Sequence, residues 1–330
     1  MLISYELNIY SGFRFYSFKW CTFQLVWWCI FQLVYTELTG KMDESLDVRL
    51  QASVAGTDAS SRTLLEENGK TVFAEGDEIG LFMPQEDTSV KWSLSTSLWT
   101  SDSKPVWKNK VDKFEFCAYY PYAAGDSRTQ IPMPDLTTQT GEASLIGDYD
   151  FLAARCSASY TDNNGTVSFT KDAAFKHVFS LISVTVQKNG NDESMTLNQI
   201  SFEGKDIVSR HTYQFGGMAE EDALVPVAES EGSSLILTPE TAVEEQGHTT
   251  MVVINPGTLA SPLKFSIAYV CDGHSYTAST TQMGQNFEAG KYYRYTVRLN
   301  KEELLLSGNE VADWNQEDLS DLVVTEEPAE

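Results

Sequence analysis

Short segments of alternating apolar and polar residues, each ended by a turn signal, recur from about Val48 to Leu299. The first segment has the period of a strand with one buried face, and its apolar residues are Val48, Leu50, Ala52 and Val54. Phe114 to Tyr120 alternates in the same way and stops at Pro121. Because residues 42–300 show no long apolar period of 3.6, we predict an all-β protein with few helices.

Two dipeptides with strong turn preference predict tight hairpins, namely Asn164-Gly165 and Asp272-Gly273. The segment Phe175 to Val186 is apolar on both faces, which predicts one central strand that is buried on both sides. The turn-rich segment Lys188 to Ser194 follows it and is the predicted domain boundary.

A chain of 330 residues exceeds the usual size of one domain, and regularly spaced short strands are typical of sandwiches. We therefore predict two tandem β-sandwich domains, over residues 42–188 and 189–314, followed by an acidic tail over residues 315–330. A single large barrel is the weaker alternative.

Residues 1–41 differ in character from the rest of the chain. Trp20 to Tyr35 is apolar and has Arg14 and Lys19 upstream, as in an export signal or a signal anchor. The stretch is shorter than the roughly 20 apolar residues of a spanning helix. Two interpretations stay open: an atypical export or anchor segment, or upstream sequence joined to a chain that begins near Met42.

The charge and the motifs exclude several classes of function. A formal net charge of −24 argues against binding of nucleic acid, which needs clustered Lys and Arg. The histidines have no metal-ligand spacing, and the sequence contains no GxSxG, Walker A or GxGxxG motif. We predict that the protein is not an enzyme and has no catalytic, cofactor-binding or metal-binding residues.

Several residues have a structural interpretation that we weigh against a functional one. His177 is interpreted as a core or interface histidine rather than a catalytic base. Asp148 and Asp150 have the ligand chemistry for calcium, but too few ligands at fixed spacing accompany them. Three tryptophans are expected at exposed loops, where they cover the sandwich rim or stack on a glycan: Trp92, Trp99 and Trp107. The cysteines at positions 117, 156 and 271 are interpreted as small buried hydrophobes.

The order and spacing of several motifs resemble the fimbrillin-like family, the type V pilins and related proteins of Gram-negative anaerobes. The resemblance runs from about Val48 to Trp314. Its motifs are GDEIGLF (Gly76 to Phe82), FCAYYPY (Phe116 to Tyr122), DYDFLAA (Asp148 to Ala154), FKHVFSLISVTV (Phe175 to Val186), GKYYRYTVRLN (Gly290 to Asn300) and VADW (Val311 to Trp314).

The resemblance implies two transthyretin-like β-sandwich domains and a lipoprotein carried to the outer membrane and assembled into adhesive fimbriae. In polymerising members, cleavage after an Arg removes an N-terminal strand, and a strand from a neighbouring subunit fills the groove. On this chain the cleavage point would be Arg62, and the exchanged strand would be Val48, Leu50, Ala52 and Val54. The donor tail would contain Leu322, Val323 and Val324. Neither Cys21 nor Cys29 follows the small residues of a lipobox, which departs from the family pattern.

The leading prediction is therefore a fimbrial structural or accessory subunit at the cell surface. It would assemble by strand exchange with itself or other fimbrial subunits, support adhesion to a host or bacterial surface ligand, and attach to the outer membrane. The alternative is a non-polymerising outer-membrane surface protein that binds a glycan or a protein partner.

Overall fold

The computed structural model describes residues 45–56, 72–188, 194–217, 221–228, 232–300 and 303–314. Within these ranges the chain is mostly strand, with a few short helices. The first strands are β1 (Arg49–Ala52), β2 (Glu78–Phe82), β3 (Ser89–Ser95), β4 (Leu98–Thr100), β5 (Phe114–Tyr120), β6 (Ile131–Pro132), β7 (Leu152–Ala158), β8 (Thr166–Phe169), β9 (Lys176–His177) and β10 (Ser180–Gln187). The later strands are β11 (Met195–Glu203), β12 (His211–Gln214), β13 (Ala223–Pro226), β14 (Ser234–Leu237), β15 (Thr241–Ala242), β16 (His248–Ile254), β17 (Gly257–Thr258), β18 (Lys264–Cys271), β19 (His274–Thr280), β20 (Asn286–Phe287), β21 (Lys291–Asn300) and β22 (Glu303–Asp313).

The helices are single turns that connect strands. They are α1 (Ile146–Tyr149), α2 (Tyr160–Asn163) and three 3₁₀ turns, Leu136–Thr138, Ala143–Leu145 and Lys171–Ala173. No helix in the described ranges has the length and apolar character needed to cross a membrane. The prediction of an all-β fold with few helices is confirmed.

The first half of the chain builds a six-stranded sheet in the order β4-β3-β2-β5-β7-β9. Strands β1 and β8 form a separate two-stranded sheet, in which they run parallel. The middle strands of the large sheet carry fully buried side chains such as Ile79, Leu81 and Phe116. Burial of this inner face is what requires a second layer over the sheet.

The second half of the chain builds a nine-stranded sheet. Eight of its strands follow the order β14-β11-β18-β19-β22-β21-β10-β16, and the ninth, β15, also pairs with β11. Strands β19 and β22 meet through a single aligned pair, Ser279 with Glu303. The path therefore divides into two four-stranded halves that join at one corner. A small sheet in the order β13-β12-β6 connects the second half of the chain to the first.

Two predicted elements were wrong in detail. The segment Phe175 to Val186 is not one strand, because it breaks at Val178 and Phe179. Its first part, β9, ends the six-stranded sheet, whereas β10 lies between β16 and β21 in the other. Only β10 has the predicted burial on both faces.

The dipeptide Asn164-Gly165 does not form a two-residue hairpin. Both residues have positive φ, as such turns require, but they follow helix α2 and lead into β8 of the other sheet. Asp272-Gly273 does form the predicted hairpin, with positive φ at both residues and Cys271 aligned with His274.

The predicted domain boundary at residues 188 and 189 falls after β10, which pairs with strands of the second half. The pairing of the sheets changes earlier, between β9 and β10. The assignment of residues 42–188 and 189–314 to separate domains stays a prediction. Residues 1–41 and 315–330 lie outside the described ranges.

Candidate assembly interface

Strand β1, the candidate exchanged strand, forms a ladder along one edge within the described ranges. Leu50 is aligned with Val167, and Ala52 with Phe169, in a parallel ladder with β8. The backbone N–H of Arg49 donates to the carbonyl of Gly165 at 3.0 Å, and the N–H of Ser53 donates to the carbonyl of Phe169 at 3.0 Å. Arg49 also donates from its guanidinium to the carbonyl of Asn164.

Isolated backbone contacts hold both ends of β1. Before the strand, the N–H of Val48 donates to the carbonyl of Pro105 at 2.9 Å. After it, the N–H of Phe175 donates to the carbonyl of Ser53 at 2.9 Å, and the N–H of Ala55 donates to Phe175 at 2.8 Å. These contacts extend the attachment of β1 from Val48 to Ala55.

The opposite edge of β1 has no strand ladder in the part of the chain that the structure describes. Strand β4 of the six-stranded sheet lies near β1, but no register pairs the two strands. β1 is thus an edge strand with one strand neighbour, and it connects to the described fold through few main-chain bonds. An edge strand of this kind is the sheet element that another chain can most readily replace.

The inward face of β1 and of the residues on either side of it contributes strongly to the hydrophobic core. Val48, Leu50 and Val54 are 6%, 4% and 1% exposed, whereas Ala52 is half-buried. Full burial of one such side chain stabilises a protein by about 1.5–3 kcal/mol, so the three together contribute about 5–9 kcal/mol. That range approaches the whole stability of an ordinary domain, about 5–15 kcal/mol.

Aromatic side chains surround this strand pair. Phe175, which bonds the end of β1, packs edge-on against Phe73 and Phe169, with ring centroids 5.2 and 5.5 Å apart. The Trp107 indole Nε1–H donates to the Gly165 carbonyl at 3.1 Å. That carbonyl therefore accepts hydrogen bonds from both Trp107 and Arg49.

The tryptophans expected at exposed loops are core residues. Trp92 and Trp99 belong to β3 and β4, and with Trp107 they are 3%, 7% and 2% exposed. Every Phe, Tyr and Trp whose burial the structure describes is buried or half-buried. The expectation that the three tryptophans lie on exposed loops was therefore wrong.

Two of the remaining site predictions lie outside the described residues. Arg62 is within residues 57–71, between the end of the β1 region and Val72, where the described chain resumes. Leu322, Val323 and Val324 are within residues 315–330, which follow Trp314. In sequence, all of β1 precedes Arg62, and every other strand that the structure describes follows it.

The most conspicuous polar group in the core is a pair between His177 and Asp150. Nδ1 of His177 lies 2.9 Å from Oδ2 of Asp150, and the imidazole stacks on Trp314 with ring centroids 4.0 Å apart. Their side chains are 3% and 0% exposed, and Nε2 of His177 is buried without a partner. The burial of both side chains and the hydrogen bond between them match the interpretation of His177 as a core residue.

Asp150 is thus a partner of His177, whereas Asp148 is exposed. No group of His, Cys, Asp and Glu in the described ranges could hold a metal ion. Burial raises the pKa of the Cys117 thiol to about 11 and that of Cys156 to about 12. Both thiols are therefore protonated and unreactive at neutral pH. Cys117 and Cys156 are free thiols.

A cavity of about 520 Å³ lies between β7, β9 and β13. Its charged groups already bind one another. Arg155 Nε donates to Asp222 Oδ1 at 3.0 Å, and Tyr213 donates to Asp222 Oδ2 at 2.6 Å. Burial opposes the ionisation of Asp222, but hydrogen bonds from Arg155, Tyr213 and the Gly216 N–H outweigh it and lower its pKa below 3.8. The network attaches the β12–β13 hairpin to β7.

The fold and the single-neighbour strand β1 define an all-β protein with a sheet edge suited to main-chain pairing. The model of the fimbrillin-like family matches residues 62–314. The chain therefore belongs to the fimbrillin-like family, a family of cell-surface fimbrial proteins. The match begins after β1 and includes all of the later described strands.

Two solved structures show the same fold at low identity. A candidate cell adhesion protein from Bacteroides uniformis is 17% identical with a TM-score of 0.55, covering 83% of this chain and 99% of its own. A second, from Bacteroides ovatus, is 15% identical with a TM-score of 0.53, covering 83% and 99%. No curated protein matches the chain.

Proposed function

We propose that this protein is a fimbrial structural or accessory subunit that assembles by exchange of strand β1 for a strand of another subunit. The observation that carries the proposal is the combination found over residues 48–54: one ladder neighbour for β1 within the described ranges, and three apolar side chains, Val48, Leu50 and Val54, that are more than nine-tenths buried. Partners are further copies of this chain or other fimbrial subunits.

Release of β1 would leave an open groove, and its exposure to water would be energetically unfavourable. The ladder groups of β8 would lose their partners, and the apolar surface beneath Val48, Leu50 and Val54 would meet water. An incoming alternating strand would satisfy both requirements at once. The estimate of about 5–9 kcal/mol for the three side chains gives the scale of the driving force for refilling the groove.

Arg62 is the proposed release point because of where it lies in the sequence. A cut there separates all of β1 from every strand that follows. The proposed donor is the C-terminal tail with Leu322, Val323 and Val324, which follows β22 in the sequence. Adhesion, lipid modification and outer-membrane attachment belong to the same proposal and rest on the family.

The experiment removes residues 1–62 by Arg-specific cleavage and compares the product with an Arg62→Gln chain treated identically. We expect the cut chain to form oligomers by light scattering and the Arg62→Gln chain to stay monomeric. A cut chain that releases β1 and stays a folded monomer would refute strand exchange. Deletion of residues 315–330 from the cut chain tests the donor, because oligomers should then disappear.

A further inference from the structure

Strand β16 lies at the end of the second sheet path and pairs with β10 over seven residues, Ser180 with Ile254 through Val186 with His248. Thr250 to Ile254 form an uninterrupted buried run, TMVVI. Such a run of β-branched and apolar residues on a bare sheet edge would favour pairing with another chain. The opposite end of the path, β14, is only four residues long.

The outer edge of β16 is covered by a loop from the first half of the chain, Leu136–Gly141, which we term the capping loop. The Gln139 side chain accepts a hydrogen bond from the Val253 N–H at 2.7 Å. Its Nε2 donates to the Val253 carbonyl at 2.8 Å and to the Leu136 carbonyl at 2.9 Å. One side-chain amide thus satisfies both main-chain groups of Val253, as a neighbouring strand would.

The rest of the capping loop is fitted to the same edge. The Gly141 carbonyl accepts a hydrogen bond from the Met251 N–H at 2.9 Å. Gly141 has φ +87°, and a Cβ at this position would lie 2.8 Å from side-chain carbons of both Leu237 and Thr250. Gln139 itself is 6% exposed. The loop therefore depends on a glycine and a buried amide at two specific positions.

We propose that the capping loop is an autoinhibitory contact that prevents β16 from adding a strand of a second copy of this chain. The Gln139 amide binds the N–H and the carbonyl of Val253 as a peptide unit of an added strand would. These two groups are then not available to a strand of another chain. In a protein that assembles through main-chain pairing, this cap keeps β16 from competing with β1 for an incoming strand. The cap acts in the uncut chain and does not depend on exchange at β1.

The test uses the full chain, uncut, with Gln139→Met, which keeps the length of the side chain and removes its three hydrogen bonds. We expect amide hydrogen exchange at Val253 to rise about tenfold, because its buried hydrogen bond to the Gln139 side chain is lost. We also expect concentration-dependent dimers or larger species by light scattering. Thr140→Ala, at an exposed neighbour in the same loop, is the matched control and should change neither measurement.

Adding Thr249→Lys to the Gln139→Met chain should restore the monomer, since a lysine on an exposed edge position opposes strand addition. Gly141→Ala is the second variant and displaces the loop by steric contact, so it should give the same species if Gln139→Met fails to fold. Faster exchange at Val253 in a chain that stays monomeric would overturn the proposal. Unchanged exchange at Val253 would overturn it as well.

Discussion

Replacement of Leu50 by Ala tests whether β1 is a separately releasable element. Leu50 is 4% exposed and aligned with Val167 of β8, which is fully buried. Truncation of a buried leucine costs about 2–5 kcal/mol. If the substitution weakens the attachment of β1 by about 2–4 kcal/mol, the equilibrium population of detached β1 rises by roughly 30- to 1,000-fold.

The assay is native-state hydrogen exchange at single amides. The N–H groups of Arg49 and Ser53 report on β1, because they donate to carbonyls at either end of β8. An amide of the central strand β5, such as Cys117, reports on global unfolding. We expect Leu50→Ala to accelerate exchange in β1 by the factor above and in β5 by much less.

The matched control is Gln51→Ala, since Gln51 is the exposed neighbour on the same strand. It should leave both sets of amides nearly unchanged. If Leu50→Ala accelerates β1 and β5 by the same factor, β1 detaches only when the whole domain unfolds. That result would refute independent release of the strand.

Three further predictions concern the polar contacts that hold the sheets together. His177→Leu leaves the buried Asp150 carboxylate without its partner and should lower the urea-unfolding free energy by about 3–5 kcal/mol; a loss below about 1 kcal/mol would contradict the role of this pair. The pKa of Asp222 is lowered in the folded state, so its carboxylate contributes fully to the free energy of unfolding above pH 3.8. This contribution is lost as the pH falls through the folded-state pKa. Asp222→Asn should therefore weaken the dependence of the unfolding free energy on pH below pH 3.8. An unchanged pH dependence in this range would contradict the role of Asp222. Trp107→Phe removes the bond to the Gly165 carbonyl and should cost about 1–3 kcal/mol in thermal or urea melts, while Trp107→Leu, which loses more packing, should cost more.

Much of the strand pattern could be predicted from the sequence, because local alternation and turn chemistry specify it. The alternating segment Phe114 to Tyr120 is strand β5 at those bounds, and the Asp272-Gly273 hairpin forms as expected. In both places the residues that decide the structure are neighbours in the chain. Period-two alternation is then a sufficient signal.

The errors occurred where partners distant in sequence decide the outcome. Apolar content on both faces of Phe175 to Val186 did not reveal that the chain passes from one sheet to the other at Val178 and Phe179. Likewise, Trp92 and Trp99 are surrounded by serines, which suggested a loop, but they lie on strands whose inner faces are covered.

The two contacts that matter most for assembly had unequal signals in the sequence. The alternation of Val48 to Val54 predicted a strand, but its parallel pairing with β8 depends on residues more than a hundred positions away. The Gln139 contact had no sequence signal, since a glutamine between threonines in a turn-rich stretch is typical of an exposed loop. Its function depends on the edge of β16, which lies far along the chain.

The most direct measurement of the central claim is assembly with β1 locked in place. Arg49→Cys with Thr166→Cys places a disulfide across an aligned pair of the β1–β8 ladder, and Ala268→Cys with Thr277→Cys places a control disulfide across β18 and β19. After cleavage at Arg62, we predict that the oxidised β1–β8 chain stays monomeric by light scattering and assembles when reduced. The control chain should assemble in both states. Equal assembly of the oxidised and reduced β1–β8 chains would contradict the claim that a strand of another subunit takes the place of β1.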